Sequence, residues 1–485
     1  MKNFDLSVWK MQEPRDKNPG YQFQEFFVHN IISLGLGQEE KLPSQRVLAR
    51  LNGVSLKTIQ RVYSTLTVTG WIKTVPGSGT FVARESEWQK QNLPSKGFAT
   101  QLPLSLPELP NARSAELAVP QNFITIGIDT LSPAFCPLTS LVRSMKYYQN
   151  KYKTATQIQH VTDLLGLEFR EAIRNYFQDM YAFRLNPGTL DFSFDRAATL
   201  KRILALLLVE GDEMINTAPQ DPALAQVIEE LGICQQDLNS SDPDFMARLE
   251  AMLKTSSIRV LYIRPQCSYP EGSNLSAEDC TRVLELAKTY HFYIIEEDEY
   301  HEFWYEEQPF KPLARYDHEG HVIYMAVLSQ LSVYMRNTMV VCACKEFIDL
   351  LRSGPKKSYI FRDLIEEKAI VEMLKSGEIW RHAKIARGVK TEEQVRLIFT
   401  LTGILGNFSE IRPSSSGLSL WLVFPESVNL MEEMQFLGGH NIGVPFDPGA
   451  KVPDAPCHYM RLGFGTFNED EVIGPARLLR GRFET

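Results

Sequence analysis

Cysteine is scarce in this sequence: seven residues in 485, at positions 136, 234, 267, 280, 342, 344 and 457. The number is odd and no pair has Cys-x-x-Cys spacing. That argues against a disulfide framework or a zinc site, and for reduced thiols in a reducing compartment. No apolar run approaches the length needed to cross a bilayer, so no membrane partner is expected. The opening stretch MKNFDLSVWKMQEPRDKNPG carries acids and lacks the apolar core of a signal peptide, which leads one to expect a cytoplasmic protein. No internal repeat is visible. A phosphate-binding loop is missing too: PGSGT at 76–80 has no Lys-Ser/Thr after it and is flanked by β-type runs, so it reads as a turn between strands.

What is present belongs to a globular chain with a sizeable core. Hydrophobic residues make up 44% and charged residues 23%, too apolar for a disordered protein, and the length allows two or three domains. Charge is unevenly spread. Residues 1–83 hold ten Lys and Arg against six acids, a net of +4, and the remaining 402 residues carry −12. A small basic head on an acidic body fits a nucleic-acid-binding module attached to something else.

In the head, YQFQEFFVHNIISLG places Phe23, Phe26, Phe27 and Ile31 on one helical face. A second helix starts in PSQRVLARLNG with Ser44 as its N-cap, and a third begins at Ser55. In the third, Ile59, Val62, Tyr63 and Leu66 recur at helical spacing as a buried face, while Lys57, Gln60, Arg61 and Ser64 share the other side. WIKTV and TFVA then read as a hairpin closed by a Gly-rich turn. Three helices, a polar third-helix face and a hairpin make a winged helix-turn-helix that reads double-stranded DNA.

Residues 84–118 read as a linker, in and just beyond which the stretch NLPSKGFATQLPLSLPELPNARSAELAVP, 92–120, holds five prolines. From there to 485, short apolar runs alternate with helical segments, the rhythm of an α/β domain with a largely parallel sheet. The predicted strands are 190–194, 213–217, 258–264, 292–297, 322–328 and 339–343. LSLWLVF and HYMRLGFG suit a smaller C-terminal α+β lobe, which divides the body at about residue 375.

KLPSQRVLARLNGVSLKTIQRVYSTLTVTGWIKTVPGSGTFV resembles the GntR family of bacterial transcription regulators, without a gap. By that resemblance Arg46, Ser55, Lys57, Thr58 and the wing residue Gly77 are DNA contacts. Gln60 and Arg61 are well placed beside them to meet adenine, guanine or phosphate. Joined to so long an α/β body, the head resembles the MocR subfamily, whose body looks like a fold-type-I aminotransferase. GLEFREAIRNYF, LDFSFDRAATLKRILALLLVEGD, YPEGSNLS, IIEEDEYHEFWY and VIYMAVLSQ follow in the family's order. The resemblance implies a homodimer acting on an operator, with an amino acid or a pyridoxal phosphate (PLP)-like molecule as effector.

It also implies four cofactor anchors, and each is altered here. The lysine that holds PLP as an imine falls on Gln330 in YMAVLSQLSVYMRN, and the phosphate arginine falls on Asn337. The small phosphate turn becomes Phe194-Asp195-Arg196-Ala197. There Asp195 repels a phosphate or simply caps the helix, and Arg196 partly compensates. The aspartate that pairs with the pyridine nitrogen falls on Glu297, with Asp298 in reach only by a strand slip that reverses the face. The stacking aromatic aligns with Gln220. Arg461 in YMRLGFG matches the arginine that clamps a substrate carboxylate, or else pairs with a structural acid. The expectation is a regulator whose body has given up PLP chemistry and holds no covalent cofactor. The alternatives are a working aminotransferase using another lysine, for which Lys345, past the next strand, looks misplaced; a PLP-responsive regulator that holds the cofactor without a covalent bond; and a scaffold that only dimerises. The acids at 296–299 and 302 are read as exposed, beyond a strand end, and not as a metal site.

Overall fold

The computed structural model describes residues 6–11, 19–33, 40–68, 71–83, 124–153, 155–181, 185–186, 188–218, 221–268, 271–353, 364–444 and 458–484. It divides into two compact units, Met1–Glu116 and Leu117–Thr485.

The first unit is built from α1 (Pro19–Ser33), α2 (Gln45–Leu51), α3 (Leu56–Val68), β1 (Ile72–Val75) and β2 (Gly79–Val82). Ser44 caps α2, its hydroxyl accepting the Val47 N–H at 3.3 Å. Phe23, Phe27 and Ile31 meet Leu48 and the predicted face of α3, Ile59, Val62, Tyr63 and Leu66, in one buried core. Phe26 packs at its margin. The hairpin turns between Val75 and Gly79, and Gly77 adopts a φ of +76°, a conformation that suits glycine. A single 3₁₀ turn, Leu6–Trp9, adds what periodicity did not predict. Trp9 is fully buried against Phe27, and the Asn52 side chain fixes it by accepting the Met11 N–H and donating to the Trp9 carbonyl.

The second unit opens with β3 (Ile124–Thr125), α4 (Leu138–Lys151), α5 (Ala155–Tyr181), β4 (Leu190–Ser193), α6 (Arg196–Leu207), β5 (Glu213–Asn216) and α7 (Pro222–Leu231). Next come β6 (Cys234–Asp237), α8 (Phe245–Thr255), β7 (Ile258–Ile263), α9 (Ala277–Tyr290), β8 (Tyr293–Asp298), β9 (Val322–Val327), α10 (Val333–Arg336) and β10 (Met339–Cys342). Helices α11 (Lys345–Ser353), α12 (Leu364–Lys375) and α13 (Glu378–Leu405) lead into β11 (Glu410–Arg412), β12 (Ser419–Val423), α14 (Leu430–Gly439), β13 (Ile442–Gly443), β14 (Tyr459–Gly463) and α15 (Glu469–Phe483).

Seven of these strands form one sheet in the order β4-β10-β9-β8-β7-β5-β6. Strand β10 runs antiparallel to both neighbours, and the other pairs are parallel. The six predicted strands are all in it, within one residue at each end. Strand β6 was not predicted, because CQQD is a polar edge strand with no apolar run to mark it. Helices cover both faces, so every residue of β9 and all but the first of β8 are buried. The smaller lobe carries the antiparallel sheet β11-β12-β14, with α13 packed on α15.

Candidate functional site

In the first unit, α3 turns Lys57, Gln60, Arg61 and Ser64 to solvent, opposite its buried face. Arg46 on α2 and Gly77 in the hairpin turn are exposed as well. Ser55 and Thr58 serve the helix first: the Ser55 hydroxyl accepts the Thr58 N–H at 3.1 Å and lies 2.8 Å from the Thr58 hydroxyl. Two long cations and an amide on one exposed face, at a capped helix start, are the donors that groove edges and phosphates require.

In the second unit the altered anchors gather around the C-terminal ends of the parallel strands. Asp195 caps α6, its carboxylate accepting the Ala198 N–H at 2.6 Å. The helix start is thus occupied by the chain's own negative charge. The next residue, Arg196, reaches across to β8. Its Nε and Nη2 donate to the two Glu297 oxygens at 2.5 and 2.7 Å, and Nη1 and Nη2 donate to Asp221 at 3.0 and 2.6 Å. Arg264, just beyond β7, donates to Asp221 at 2.6 Å and to Glu297 at 3.1 Å. The Tyr262 hydroxyl completes the group by donating to Glu297.

Two guanidiniums and two carboxylates therefore neutralise one another inside the sheet's C-terminal edge. Burial alone raises a carboxyl, but Arg196 and Arg264 outweigh it and hold Glu297 well below the usual carboxylate range. Asp221 is lowered against its own burial by the same two arginines. Sequence reasoning reached Arg196 and Glu297 but not Asp221, Tyr262 or Arg264. A charge closing the apolar strand IRVLYIR was the available signal for Arg264; nothing local marked Asp221 beyond its suitability as the cap of α7.

The acids read as exposed are in fact largely buried. Glu296, Glu297 and Asp298 lie within β8, Glu302 lies just after it, and all four are at most 2% exposed. Each is paired, which is why burial is tolerated. Glu296 accepts the N–H groups of Leu313 and Ala314 at 2.7 and 2.8 Å, and burial pushes its carboxyl up to about 8. Asp298 accepts the hydroxyls of Tyr181 and Tyr324, both at 2.9 Å, and burial pushes it up to about 7. Asp298 thus faces the side of the sheet opposite Glu297, so the one-residue slip does not bring it to the cleft. No cluster of metal-ligating side chains occurs among the described residues.

Gln330 is buried, its amide Nε2 donating to the Glu299 carbonyl at 2.9 Å. Its backbone N–H and the Ser329 hydroxyl both donate to Glu302, which also accepts the Tyr176 hydroxyl. Asn337 ends the short helix α10 and is exposed. Gln220 lies outside the described residues. Arg461, on β14, stands 3.5 Å from Asp129, which also accepts the Tyr300 hydroxyl. Lys345 pairs with Asp349 on α11. It follows β10, whose last residue is in register with Tyr324 near the start of β9, so it lies at the opposite end of the sheet from Gln330.

Comparison with known proteins agrees with the two-part fold. Residues 27–82 match the model of the bacterial regulatory proteins, gntR family. Along 96% of both chains the protein is 23% identical to the uncharacterized HTH-type transcriptional regulator YhdI of Bacillus subtilis (strain 168). It is 21% identical to the probable rhizopine catabolism regulatory protein MocR of Rhizobium meliloti, over 88% of this chain and 85% of that one. An archaeal alanine:glyoxylate aminotransferase superposes with a TM-score of 0.65 at 19% identity, covering 75% of this chain and 91% of its own. The Pyrococcus horikoshii kynurenine aminotransferase does so at 0.64 and 17%, with the same coverage. Head and body together define a transcription regulator with a GntR-type helix-turn-helix and an aminotransferase-like domain. That is the architecture of the MocR subfamily.

Proposed function

We propose that the protein is a cytoplasmic, sequence-specific DNA-binding regulator that works as a homodimer, its aminotransferase-like body serving dimerisation and response to a small effector without PLP chemistry. Arg46, Ser55, Lys57, Thr58, Gln60, Arg61 and Gly77 form the operator-reading surface. A head of net +4 binds DNA modestly, and two heads on paired half-sites gain by avidity.

The pairing of Arg196 with Glu297 is the observation that carries the loss of cofactor chemistry. The residue set does not fit PLP. Gln330 offers no amine for an imine, and Asp195 places a carboxylate where a phosphate would rest. Glu297, the counterpart of the pyridine-binding acid, is already spent on the chain's own guanidiniums. A cofactor ring would have to displace Arg196 and leave a buried charge unpaired. Arg461 is the group that would receive an effector carboxylate, in exchange for Asp129.

The test is the absorbance spectrum of the full-length protein incubated with PLP and dialysed, before and after borohydride. The expected result is no retained chromophore and no borohydride-fixed adduct. A band that borohydride fixes to the protein would mean that another lysine serves and that the enzyme reading stands.

A further inference from the structure

Away from the strand ends that carry Arg196, a cavity of about 260 Å³ collects positive charge at the outer edge of the large sheet. Its walls are Leu167, Arg170, Glu171 and Arg174 of α5, Leu190 at the start of β4, and Arg352 near the end of α11. Everything beyond residue 83 sums to −12, so three guanidiniums on one cavity run against the general charge of the body. Each of these side chains is about three-quarters buried. Arg170 and Arg174 are also one helical turn apart, where like charges repel.

The three arginines have partners of different strength close by. Asp191, buried beneath, stands 3.6 Å from Arg170 and 3.7 Å from Arg352, both ion-pair distances longer than a hydrogen bond. Arg352 also donates to the Leu190 carbonyl at 2.6 Å, and Arg170 lies 5.9 Å from the Phe192 ring centre, at the edge of cation–π range. Arg174 donates to Asn175 at 3.0 Å and lies 3.7 Å from Glu171, an exposed rim partner of little strength. The Arg174 Nε is buried and has no hydrogen-bond partner among the described residues. A buried donor of that kind is costly unless an acceptor reaches it.

We propose that this cavity is a binding site for a small phosphate-type oxyanion, inorganic phosphate or a phosphate monoester, held by Arg170, Arg174 and Arg352. Guanidinium forks match two phosphate oxygens at a time. The three arginines wall a concavity, which suits a compact anion better than the extended backbone of a duplex. The site is separate from the altered cofactor cleft. Leu190 opens β4 and Arg196 follows its end, so the two lie at opposite ends of that strand.

Calorimetric titration of inorganic phosphate into the full-length protein tests the assignment, using Arg174→Gln, Arg170→Lys and Arg196→Gln variants whose folding is checked by thermal melting. Arg174→Gln spares the Asp191 pairs, and Arg170→Lys keeps the charge but loses the fork. Both are expected to weaken phosphate binding about tenfold or more, against no change in Arg196→Gln. No binding to the unaltered protein at millimolar phosphate, equal binding by both cavity variants, or a loss confined to Arg196→Gln would each overturn the site. A short random-sequence duplex supplies the other arm: if Arg174→Gln weakens duplex binding as much as phosphate binding, the anion is nucleic-acid backbone and the small-ligand assignment fails.

Discussion

The head and the body treat their polar residues in opposite ways. On α3, Lys57, Gln60 and Arg61 are exposed, opposite the face that the core buries. In the body, Arg196, Arg264, Asp221 and Glu297 are turned inward and bound to one another. A site kept for a partner holds its donors ready, whereas a site closed to one uses its own side chains as the partner. Exposure separates the two states more clearly than residue type does, since arginine is central to both.

Breaking the inward group should have the largest effect. Arg196→Ala leaves Glu297 and Asp221 with one cation fewer in a buried setting and is expected to cost about 3–5 kcal/mol of body stability, read from urea unfolding. The Arg196→Met/Glu297→Leu pair should cost clearly less than the sum of its single changes, and strict additivity would contradict the coupling. On the exposed side, Arg61→Ala and Lys57→Ala should each weaken operator binding by about 1–3 kcal/mol in fluorescence anisotropy. Neither should move the melting temperature, and a large shift would mean that α3 uses these residues structurally.

A pH titration sharpens the contrast within the body. Burial raises Glu296 and Asp298 above their unfolded values, to about 8 and about 7. Between the ordinary carboxylate range and about 8 the folded state therefore holds more protons than the unfolded one, and stability falls as pH rises. Glu297 and Asp221 are shifted the other way, so their contribution is present above the ordinary carboxylate range and is lost only as pH falls below it. Glu296→Gln should flatten the alkaline slope of the melting temperature, and an unchanged slope would assign it elsewhere. The smallest effect is expected from Asp195→Ala, about 1 kcal/mol for a lost helix cap, with operator binding unchanged.

Most of the frame was legible because periodicity and strand composition are local. The buried stripe on α3 and the runs that became β7, β8 and β9 needed no knowledge of their neighbours. Gln330 was singled out only through the family resemblance, as one residue type in place of another. The Arg196 to Glu297 pairing was not legible, because it joins residues a hundred positions apart and depends on strand order and side-chain reach. The acids of β8 were misjudged on similar grounds. A carboxylate after an apolar run looks exposed until the elements that supply its donors are in place, here Leu313, Ala314, Tyr181 and Tyr324.

The position of Trp9 has a practical consequence for anyone dividing the chain. The family match begins at residue 27, yet an indole eighteen positions upstream closes the head's core, and Asn52 donates to the backbone carbonyl of that Trp9. A head fragment that keeps this core therefore reaches upstream to at least Trp9, and one cut at the match would lose the indole that covers Phe27. Trp9, set against Phe27, is one of six tryptophans, at 9, 71, 88, 304, 380 and 421, so its fluorescence follows the melting of the head only in a variant that lacks those of the body.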